Sequence, residues 1–239
     1  MDGLDLSLPT VAENLAMEAA LLEEAEASPQ PRETLRIWES PEIAVVVGRA
    51  SIVPGEVDVQ YCRARNIPIR RRTSGGCAVV AGPGCLMYSV ILNIERRPFL
   101  QSIDAAHEFV LDRLVAATSN AIVGVQRRGI SDLTWNDAKI SGNSLQVKRR
   151  HVLYHGTLLY DFPLDLIESC LKQPPREPDY RRGRRHREFV ANLPATAEQL
   201  RDGLFSAWEI QNQRTEWPAQ RAIELVHERY ERPEWNERR

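Results

Sequence analysis

A run of three arginines, Arg70–Arg72, leads through Thr73 into Ser74-Gly75-Gly76, and an apolar run, Cys77-Ala78-Val79-Val80, follows at once. Adjacent glycines let backbone N–H groups turn toward a ligand, and guanidinium groups match carboxylate or phosphate oxygens. The segment therefore predicts an anion-binding turn at one end of a β-sheet. The alternative is a plain basic hairpin turn, because Gly-Gly is a common turn signal.

Helical periodicity begins near the N-terminus. Thr10 and Glu13 have the spacing of a capping box, and apolar residues at helical spacing continue to about Ala27. Asn14 and Glu18 lie on this predicted helix. Two interpretations stay open for them: a solvated helix face, or a part of a functional site.

Short apolar and β-branched runs dominate the rest of the chain. The predicted strands are Leu35–Trp38, Ile43–Val47, Cys77–Val80, Leu86–Ile94, Asp132–Trp135, Lys139–Val147 and Val152–Tyr160, and the predicted helices after the first are Glu56–Asn66, Ser102–Ala121, Ala197–Asn212 and Pro218–Tyr230. The turn Gly82-Pro83-Gly84 predicts that the two strands around it pair with each other. The last three strands are expected to form an antiparallel meander. The fold class predicted is α+β, with mixed and antiparallel β-sheets flanked by helices.

Bulk composition limits the possible partners. The 239 residues suffice for one large domain, and 31 Lys plus Arg against 33 Asp plus Glu give a net charge of −2. No overall field draws the protein to nucleic acid or to an anionic membrane, so we expect neither partner. The four cysteines lack Cys-x-x-Cys spacing, and no signal peptide or membrane-length apolar run is present. These features predict a cytoplasmic protein with reduced thiols.

Two further segments reveal a resemblance. Asp132–Asn143 contains Lys139-Ile140-Ser141-Gly142, and His155–Leu159 reads His-Gly-Thr-Leu-Leu. Together with the arginines before Ser-Gly-Gly, and in this order, they resemble the lipoate-protein ligases, which form one superfamily with biotin ligases and octanoyltransferases. The resemblance begins at Asn14, includes Val47-Gly48-Arg49 and runs to about Leu193. It implies the biotin/lipoate ligase type of catalytic-domain fold.

The resemblance also implies roles for individual residues. The lysine that matches Lys139 contacts the substrate carboxylate and the adenylate phosphate in such ligases, and a fixed ammonium offsets the repulsion between these two anions. Asp132 matches an acidic residue near magnesium and the triphosphate, and carboxylate oxygen suits a hard cation. Arg71 and Arg72 match an arginine pair of which at least one is expected to hold phosphate. The other expected substrate or nucleotide contacts are Ser74, Gly75, Gly76, Cys77, Ala78, Ser141, Gly142, His155, Gly156 and Thr157. His155 could equally be a core histidine.

The chain departs from the family pattern near the glycine turn. Cys77 stands where a third glycine is usual, and Ala81-Gly82 stands where a His-Asp pair is usual. Cys85 and Met87 replace residues that are usually asparagine. We expect these changes to remove polar contacts or to make the pocket more apolar.

The C-terminal part raises the question of domain organisation. We predict one catalytic domain over residues 1–239, with a core of about 5–195, a helical extension of about 196–239 and no separate accessory domain. The resemblance then implies that a separate accessory subunit takes part.

The densest charge is Arg181–Arg187, which follows a proline-rich stretch, Gln173–Pro178. Such a run is typical of a mobile solvated loop. The alternatives are a loop that docks an acidic carrier domain and a loop that closes over an adenylate. Nucleic-acid binding ranks third, because no aromatic residues interleave the arginines.

Four functions remain open. The first is an ATP- and magnesium-dependent ligase that activates lipoate or octanoate and transfers it to a lipoyl carrier domain, either of a 2-oxoacid dehydrogenase or of the glycine-cleavage carrier protein. The second is an acyltransferase that works through a cysteine thioester, for which Cys77 or Cys85 is the candidate. The third is a biotin ligase. The fourth is a non-catalytic protein that binds lipoylated carriers.

Overall fold

The computed structural model describes residues 1–238 and contains two β-sheets with helices packed against them. The strands are β1 Asp2–Asp5, β2 Thr34–Trp38, β3 Ala44–Val47, β4 Ile69–Arg71, β5 Val79–Ala81, β6 Cys85–Asn93, β7 Gln126–Arg128, β8 Asp132–Trp135, β9 Ala138–Val147, β10 His151–Leu159 and β11 Asn212–Gln213. The α-helices are α1 Val11–Ala27, α2 Val53–Glu56, α3 Val59–Ala64, α4 Ile103–Ser119, α5 Leu164–Cys170, α6 His186–Phe189, α7 Ala197–Ala207, α8 Ala219–Leu225 and α9 Pro233–Asn236. The predicted α+β class with mixed and antiparallel sheets is confirmed.

The larger sheet has eight strands in the order β11-β1-β2-β6-β10-β9-β8-β7. β1 is parallel to β2 and β11, and the other neighbours are antiparallel. The meander predicted for β8, β9 and β10 is confirmed. Its first turn has positive φ at Asn136 and Asp137, the conformation that two-residue hairpins require.

The smaller sheet has three strands in the order β4-β3-β5, and β3 is buried along its whole length. The prediction that the strands around Gly82–Gly84 pair with each other is wrong. β5 pairs with β3, whereas β6 pairs with β2 and β10 of the larger sheet. The turn therefore carries the chain from one sheet to the other. The carbonyl of Gly84 accepts hydrogen bonds from the amides of Tyr160 and Asp161, which holds the crossing in place.

Two apolar cores lie on opposite faces of the larger sheet. Along β6, Cys85, Met87 and Ile91 pack toward α1 and the smaller sheet, whereas Leu86 and Tyr88 pack on the other face, toward α4 and α7. His155 on β10 has the same strand parity as Leu153 and Leu159, so it lies on the face of α1 and the smaller sheet. That face carries the site described below.

The helices follow their predicted limits closely in two cases. The capping box of Thr10 and Glu13 starts α1, and the side chain of Ser102 caps α4. The predicted helix over 56–66 is shorter in the structure, where it corresponds to α3, and a separate short helix, α2, precedes it. The predicted helix over 197–212 ends at Ala207, before β11 joins the large sheet, and α8 continues as a π turn, Val226–Tyr230. Within residues 1–238, no helix combines the length and the apolar character needed to cross a membrane.

Candidate active site

A cavity of about 710 Å³ lies on the α1 face of the large sheet, where the end of the smaller sheet meets β9 and β10. Its wall contains most of the residues that the sequence predicts for a site: Arg72, Gly76, Cys77, Ala78, Asp132, Lys139, Ser141, Gly142, His155, Gly156 and Thr157. Arg71, Ser74 and Gly75 do not line it. Distant segments of the chain thus converge on one pocket.

Lys139 and Asp132 form an ion pair on the pocket wall. Asp132 is the first residue of β8 and Lys139 the second of the neighbouring antiparallel strand β9, and Lys139 Nζ lies 2.7 Å from Asp132 Oδ1. The Lys139 side chain keeps 28% of its surface exposed, so its ammonium can still meet a ligand. A Cβ added at Gly142 would lie 3.0 Å from the ammonium, so the glycine leaves space for it.

Arg72 holds the glycine turn from behind. Its buried guanidinium donates to the Ser74 hydroxyl, 3.0 Å away, and to the carbonyls of Gly75, Val46 and Cys77. Burial lowers its pKa to about 10, so the group stays charged at neutral pH. Arg72 therefore stabilises the turn and also lines the cavity, and its expected contact with phosphate stays a prediction.

Arg71 lies on the opposite side of its strand and is fully buried. Its guanidinium donates to five carbonyl oxygens, those of Gly48, Arg49, Ser51, Trp235 and Asn236. Arg71 therefore does not reach the cavity in this structure, and the expectation that at least one arginine of the pair holds phosphate stays a prediction. Arg71 ties the C-terminal helix α9 to the smaller sheet.

The glycine turn has two more supports. The Ala78 amide donates to the Glu56 carboxylate on α2, 2.7 Å away. Gly48 at the end of β3 lies so close to the Gly76 carbonyl that an added Cβ would be 1.9 Å from that oxygen. Gly76 itself has φ +83, which favours glycine. The predicted turn at a sheet end is confirmed, and its backbone is held on several sides.

His155 is buried and lies between two polar side chains. Its Nε2 is 2.5 Å from Ser74 Oγ, and its Nδ1 is 2.6 Å from Glu18 Oε2. Glu18 is 2% exposed and Asn14 is fully buried, where it contacts Arg36. The solvated-face interpretation of Asn14 and Glu18 is therefore wrong. The apolar stripe alone could not show this, because it does not tell which residues face a second polar element.

The cysteine and methionine positions differ in access. Cys77 and Met87 line the cavity, whereas Cys85 is buried beside Met87, with 3.8 Å between the two sulfurs. Burial raises the pKa of the Cys77 thiol, and the Glu56 carboxylate raises it further. Cys77 is therefore a thiol at neutral pH rather than a thiolate.

The arginine-rich segment is an ordered part of the pocket wall. Arg181 is 3% exposed, and its guanidinium donates to the Arg184 carbonyl and to the Gln173 side chain. Arg184 donates to the carbonyls of Tyr180 and Asp137. The interpretation of this run as a mobile solvated loop is therefore wrong for Arg181 and Arg184, whereas Arg182, Arg185 and Arg187 are exposed.

Sequence reasoning missed Tyr180 and Asn143. The Tyr180 hydroxyl donates to Asp132 Oδ2, 2.7 Å away, and Asn143 is held in the wall by the Tyr88 hydroxyl, 2.6 Å away. Both Tyr180 and Asn143 line the cavity. Tyr180 follows a proline-rich stretch that suggests only a loop, whereas Asn143 directly follows the Lys-Ile-Ser-Gly motif, so its place in the motif was a usable signal.

A magnesium site can be tested against the carboxylates present. Among residues 1–238 no group of three or more His, Cys, Asp or Glu side chains converges on one point. The carboxylates in the cavity wall belong to Asp132, Glu177 and Asp179, and Asp132 is the one paired with Lys139. Magnesium commonly takes one or two carboxylates and completes its shell with phosphate oxygens and water, so Asp132 fits a metal that arrives with a nucleotide.

Comparisons with known proteins identify the family of this chain. Residues 10–204 match the family model of the lipoyl protein ligase A/B catalytic domain. Lipoate–protein ligase 1 of Staphylococcus aureus is 30% identical over 182 residues, which cover 75% of this chain and 52% of that protein. Octanoyltransferase LipM of Clostridioides difficile is 25% identical over 180 residues, 67% of this chain and 66% of that protein. The chain thus spans about half the length of the first of these relatives.

Two solved structures share the fold. One is a bi-partite lipoate protein ligase with its E2 lipoyl domain from Thermoplasma acidophilum, with a TM-score of 0.83, 22% identity, and coverage of 99% of this chain and 95% of the other. The second is a lipoate-protein ligase A bound with ATP, with a TM-score of 0.83, 22% identity, and coverage of 99% and 98%. With the family match and the motifs in one pocket, we conclude that this chain belongs to the lipoyl protein ligase A/B catalytic-domain family.

Proposed function

We propose that this protein is an ATP-dependent lipoate-protein ligase. Lipoate or octanoate reacts with ATP to give an acyl-adenylate and pyrophosphate, and a lysine of a carrier domain then attacks the acyl carbonyl, forms an amide and releases AMP. The observation that carries this proposal is the pair of Lys139 and Asp132 at the wall of a largely apolar cavity. The first step needs a fixed cation beside an acyl-binding pocket.

The role of Lys139 follows from charge. The carboxylate of the substrate must approach the α-phosphate of ATP, and both are anions. A fixed ammonium between them offsets this repulsion without reorganisation, because strand β9 and the contact with Asp132 hold it in place. Lys139 keeps enough exposure to contact both groups at once.

The apolar part of the cavity suits a medium-length acyl chain. Leu15, Val46, Met87 and Leu159 contribute to its lining, and its volume of about 710 Å³ is within the range usual for small-molecule sites. Leu15 comes from α1, Val46 from the smaller sheet and the other two from the larger sheet. An acyl chain can therefore lie between the sheets with its carboxyl end toward Lys139.

ATP and magnesium belong to the proposal as the second substrate and its metal. Asp132 would hold magnesium, whose chemistry is to neutralise the phosphate oxygens. The glycine backbone at Gly142 and Gly76 allows close approach to a nucleotide. The T. acidophilum structure is that of a bi-partite ligase with its E2 lipoyl domain, which supports a lipoyl carrier as acceptor and a separate accessory subunit as partner here.

The deciding experiment is lipoate-dependent exchange of label between ATP and pyrophosphate, measured with the purified chain alone and with an extract as a source of a partner subunit. We expect exchange with lipoate or octanoate and none with biotin. Exchange with biotin would favour a biotin ligase. If no acid supports exchange, with or without extract, the ligase proposal fails, and an acyltransferase and a non-catalytic carrier-binding protein remain.

A second candidate is an acyltransferase that forms a thioester on Cys77. Two observations favour it: Cys77 lines the cavity, and one relative is an octanoyltransferase. The raised pKa of this thiol opposes it, because the thiolate is the nucleophile. Incubation with an octanoyl carrier thioester, followed by mass spectrometry of the intact protein, tests it. Octanoyl transfer without ATP, with an octanoyl group on Cys77, would establish the transferase.

A further inference from the structure

Five side chains form a continuous hydrogen-bonded chain behind the pocket. Arg72 Nε donates to Ser74 Oγ over 3.0 Å, Ser74 Oγ is 2.5 Å from His155 Nε2, and His155 Nδ1 is 2.6 Å from Glu18 Oε2. The indole Nε1 of Trp38 donates to the other oxygen of Glu18 over 3.0 Å. The chain joins the glycine turn to β10, to α1 and to β2.

The charge of Glu18 determines how the protons are arranged. Burial disfavours ionisation of this carboxyl, but His155, Arg36 and Trp38 outweigh it, and the pKa of Glu18 is lowered. The group is therefore a carboxylate, which can only accept hydrogen bonds. His155 Nδ1 then donates to Glu18, and the contact of Nε2 with the Ser74 hydroxyl continues the chain to the glycine turn. Every polar atom of the chain is satisfied in this arrangement.

The same order of groups, hydroxyl, imidazole and carboxylate, activates nucleophilic serines in hydrolases. The burial of Ser74 argues against this use here. Ser74 is 1% exposed and does not line the cavity, whereas His155 does. An acyl carbonyl in the cavity therefore meets the imidazole rather than the hydroxyl. The hydrogen-bonded arrangement of Ser74, His155 and Glu18 is therefore better suited to stabilising the glycine turn than to making Ser74 a nucleophile.

The turn needs such a support. Ser74 is the last buried residue before Gly75 and Gly76, which are exposed and lack side chains to anchor them. The wall residues Cys77 to Val80 follow directly and face Leu15 and Met87 across the apolar part of the cavity. A displacement of Ser74 therefore moves the acyl side of the pocket. Asp132 and Lys139 lie on β8 and β9 and depend less on the turn.

We propose that Glu18 and His155 are positioning residues that hold Ser74, and through it the wall from Gly75 to Val80, in the position that binds the carboxylic acid substrate. This inference rests on the proposed ligase function for its kinetic consequence. The ordering of the turn is independent of that function. Glu18→Gln and Ser74→Ala should raise the KM for lipoate or octanoate about tenfold, as expected for one lost hydrogen bond to a charged group. The KM for ATP should stay within about twofold of the unaltered protein, which a general loss of structure would not produce.

The fold supplies a matched control on the same two elements. Glu26 of α1 lies 3.0 Å from His151 Nδ1 of β10, and neither residue lines the cavity. Glu26→Gln removes the carboxylate charge from a glutamate–histidine contact between the same helix and the same strand. Glu26→Gln should leave the KM for lipoate or octanoate and the KM for ATP unchanged. Glu18→Gln should raise the KM for lipoate or octanoate.

The test combines exchange kinetics with hydrogen–deuterium exchange of the peptide from 73 to 79. We expect faster deuterium uptake in Glu18→Gln and Ser74→Ala than in Glu26→Gln, and a double variant no worse than either single one, because both act through one chain. Equal uptake in Glu18→Gln and Glu26→Gln would overturn the proposal, whether or not the protein shows ligase activity. So would an acyl ester on Ser74 by mass spectrometry, which would make Ser74 a nucleophile. If the unaltered protein shows no lipoate-dependent exchange but the expected difference in deuterium uptake is observed, only the ligase function is refuted.

Discussion

The hydroxyl of Tyr180 donates a hydrogen bond to Asp132 over 2.7 Å and so joins the arginine-rich segment to the carboxylate that pairs with Lys139. The ring of Tyr180 also packs against Phe189, with 5.2 Å between the ring centres. Each oxygen of Asp132 thus has one partner, Lys139 on Oδ1 and Tyr180 on Oδ2. A metal ion that binds Asp132 must share or replace one of them.

Tyr180→Phe keeps the ring contact with Phe189 and removes only the hydroxyl. We expect the free energy of unfolding to fall by about 1.5 kcal/mol, since one hydrogen bond to a charged group is lost. The magnesium concentration for half-maximal exchange should also fall, because Oδ2 of Asp132 is released for the metal. Tyr160→Phe is the control, since Tyr160 donates to Glu39 outside the cavity. An unchanged or raised magnesium requirement in Tyr180→Phe would argue against Asp132 as the metal ligand.

Lys139→Ala should lower the rate of exchange by at least about 100-fold, the size of effect seen when a preorganised electrostatic contact is removed. Thermal unfolding should change little, because Asp132 keeps the Tyr180 contact. Lys139→Arg should also lose most activity, since a planar fork does not fit the space beside Gly142. Lys148→Ala, on an exposed turn, is the control. Near-normal exchange in Lys139→Ala would remove the assigned role.

Cys77→Ala should keep most of the exchange activity, because a ligase needs no covalent intermediate on the protein. Cys85→Ala should behave alike, with a cost only in packing, since Cys85 is buried and outside the cavity wall. Steady-state exchange measures the activity that each variant keeps. The intact mass after incubation with substrate shows whether a covalent intermediate forms on the protein. Loss of turnover in Cys77→Ala together with a trapped thioester in the unaltered protein would decide for the transferase.

The arginine run should divide into two functional groups. Replacing the exposed Arg182, Arg185 and Arg187 by Ser should slow acyl transfer to an acidic carrier domain and flatten its salt dependence, because exposed charges steer a partner only within about 10 Å. Exchange should stay nearly unchanged. Arg181→Ser should instead impair exchange, since this side chain holds the segment that carries Tyr180. Equal loss of exchange and transfer in the triple variant would place the exposed arginines at the adenylate.

The lowered pKa of Glu18 predicts a pH-dependent contribution to stability. A carboxyl with a depressed pKa in the folded state stabilises the fold above its unfolded value of 4.5, and the contribution is lost as the pH falls through the lower folded value. The difference in unfolding free energy between the unaltered protein and Glu18→Gln should therefore narrow below about pH 4.5. Urea unfolding at about pH 6 and about pH 3 measures it. A constant difference would contradict the charged state of Glu18.

Local patterns were sufficient for much of the fold. The capping box of Thr10 and Glu13, the cap at Ser102 and the alternation along β8, β9 and β10 depend on residues within a few positions of each other, so the sequence alone determined these elements. The glycine turn and the strands of Lys139 and His155 were likewise identified from their motifs.

Tertiary structure decided what those residues contact. The turn at Gly82–Gly84 has the sequence signal of a hairpin, yet the two strands beside it enter different sheets. β5 pairs with β3 in the smaller sheet, and β6 pairs with β2 in the larger sheet. Arg71 ends β4 and Arg72 follows it directly, yet the side chain of Arg71 binds α9 and that of Arg72 binds the glycine turn. Glu18 meets His155 across 137 positions of the chain. Hydrogen bonds of this kind form between elements that only the packed sheets bring together, and no local pattern records them.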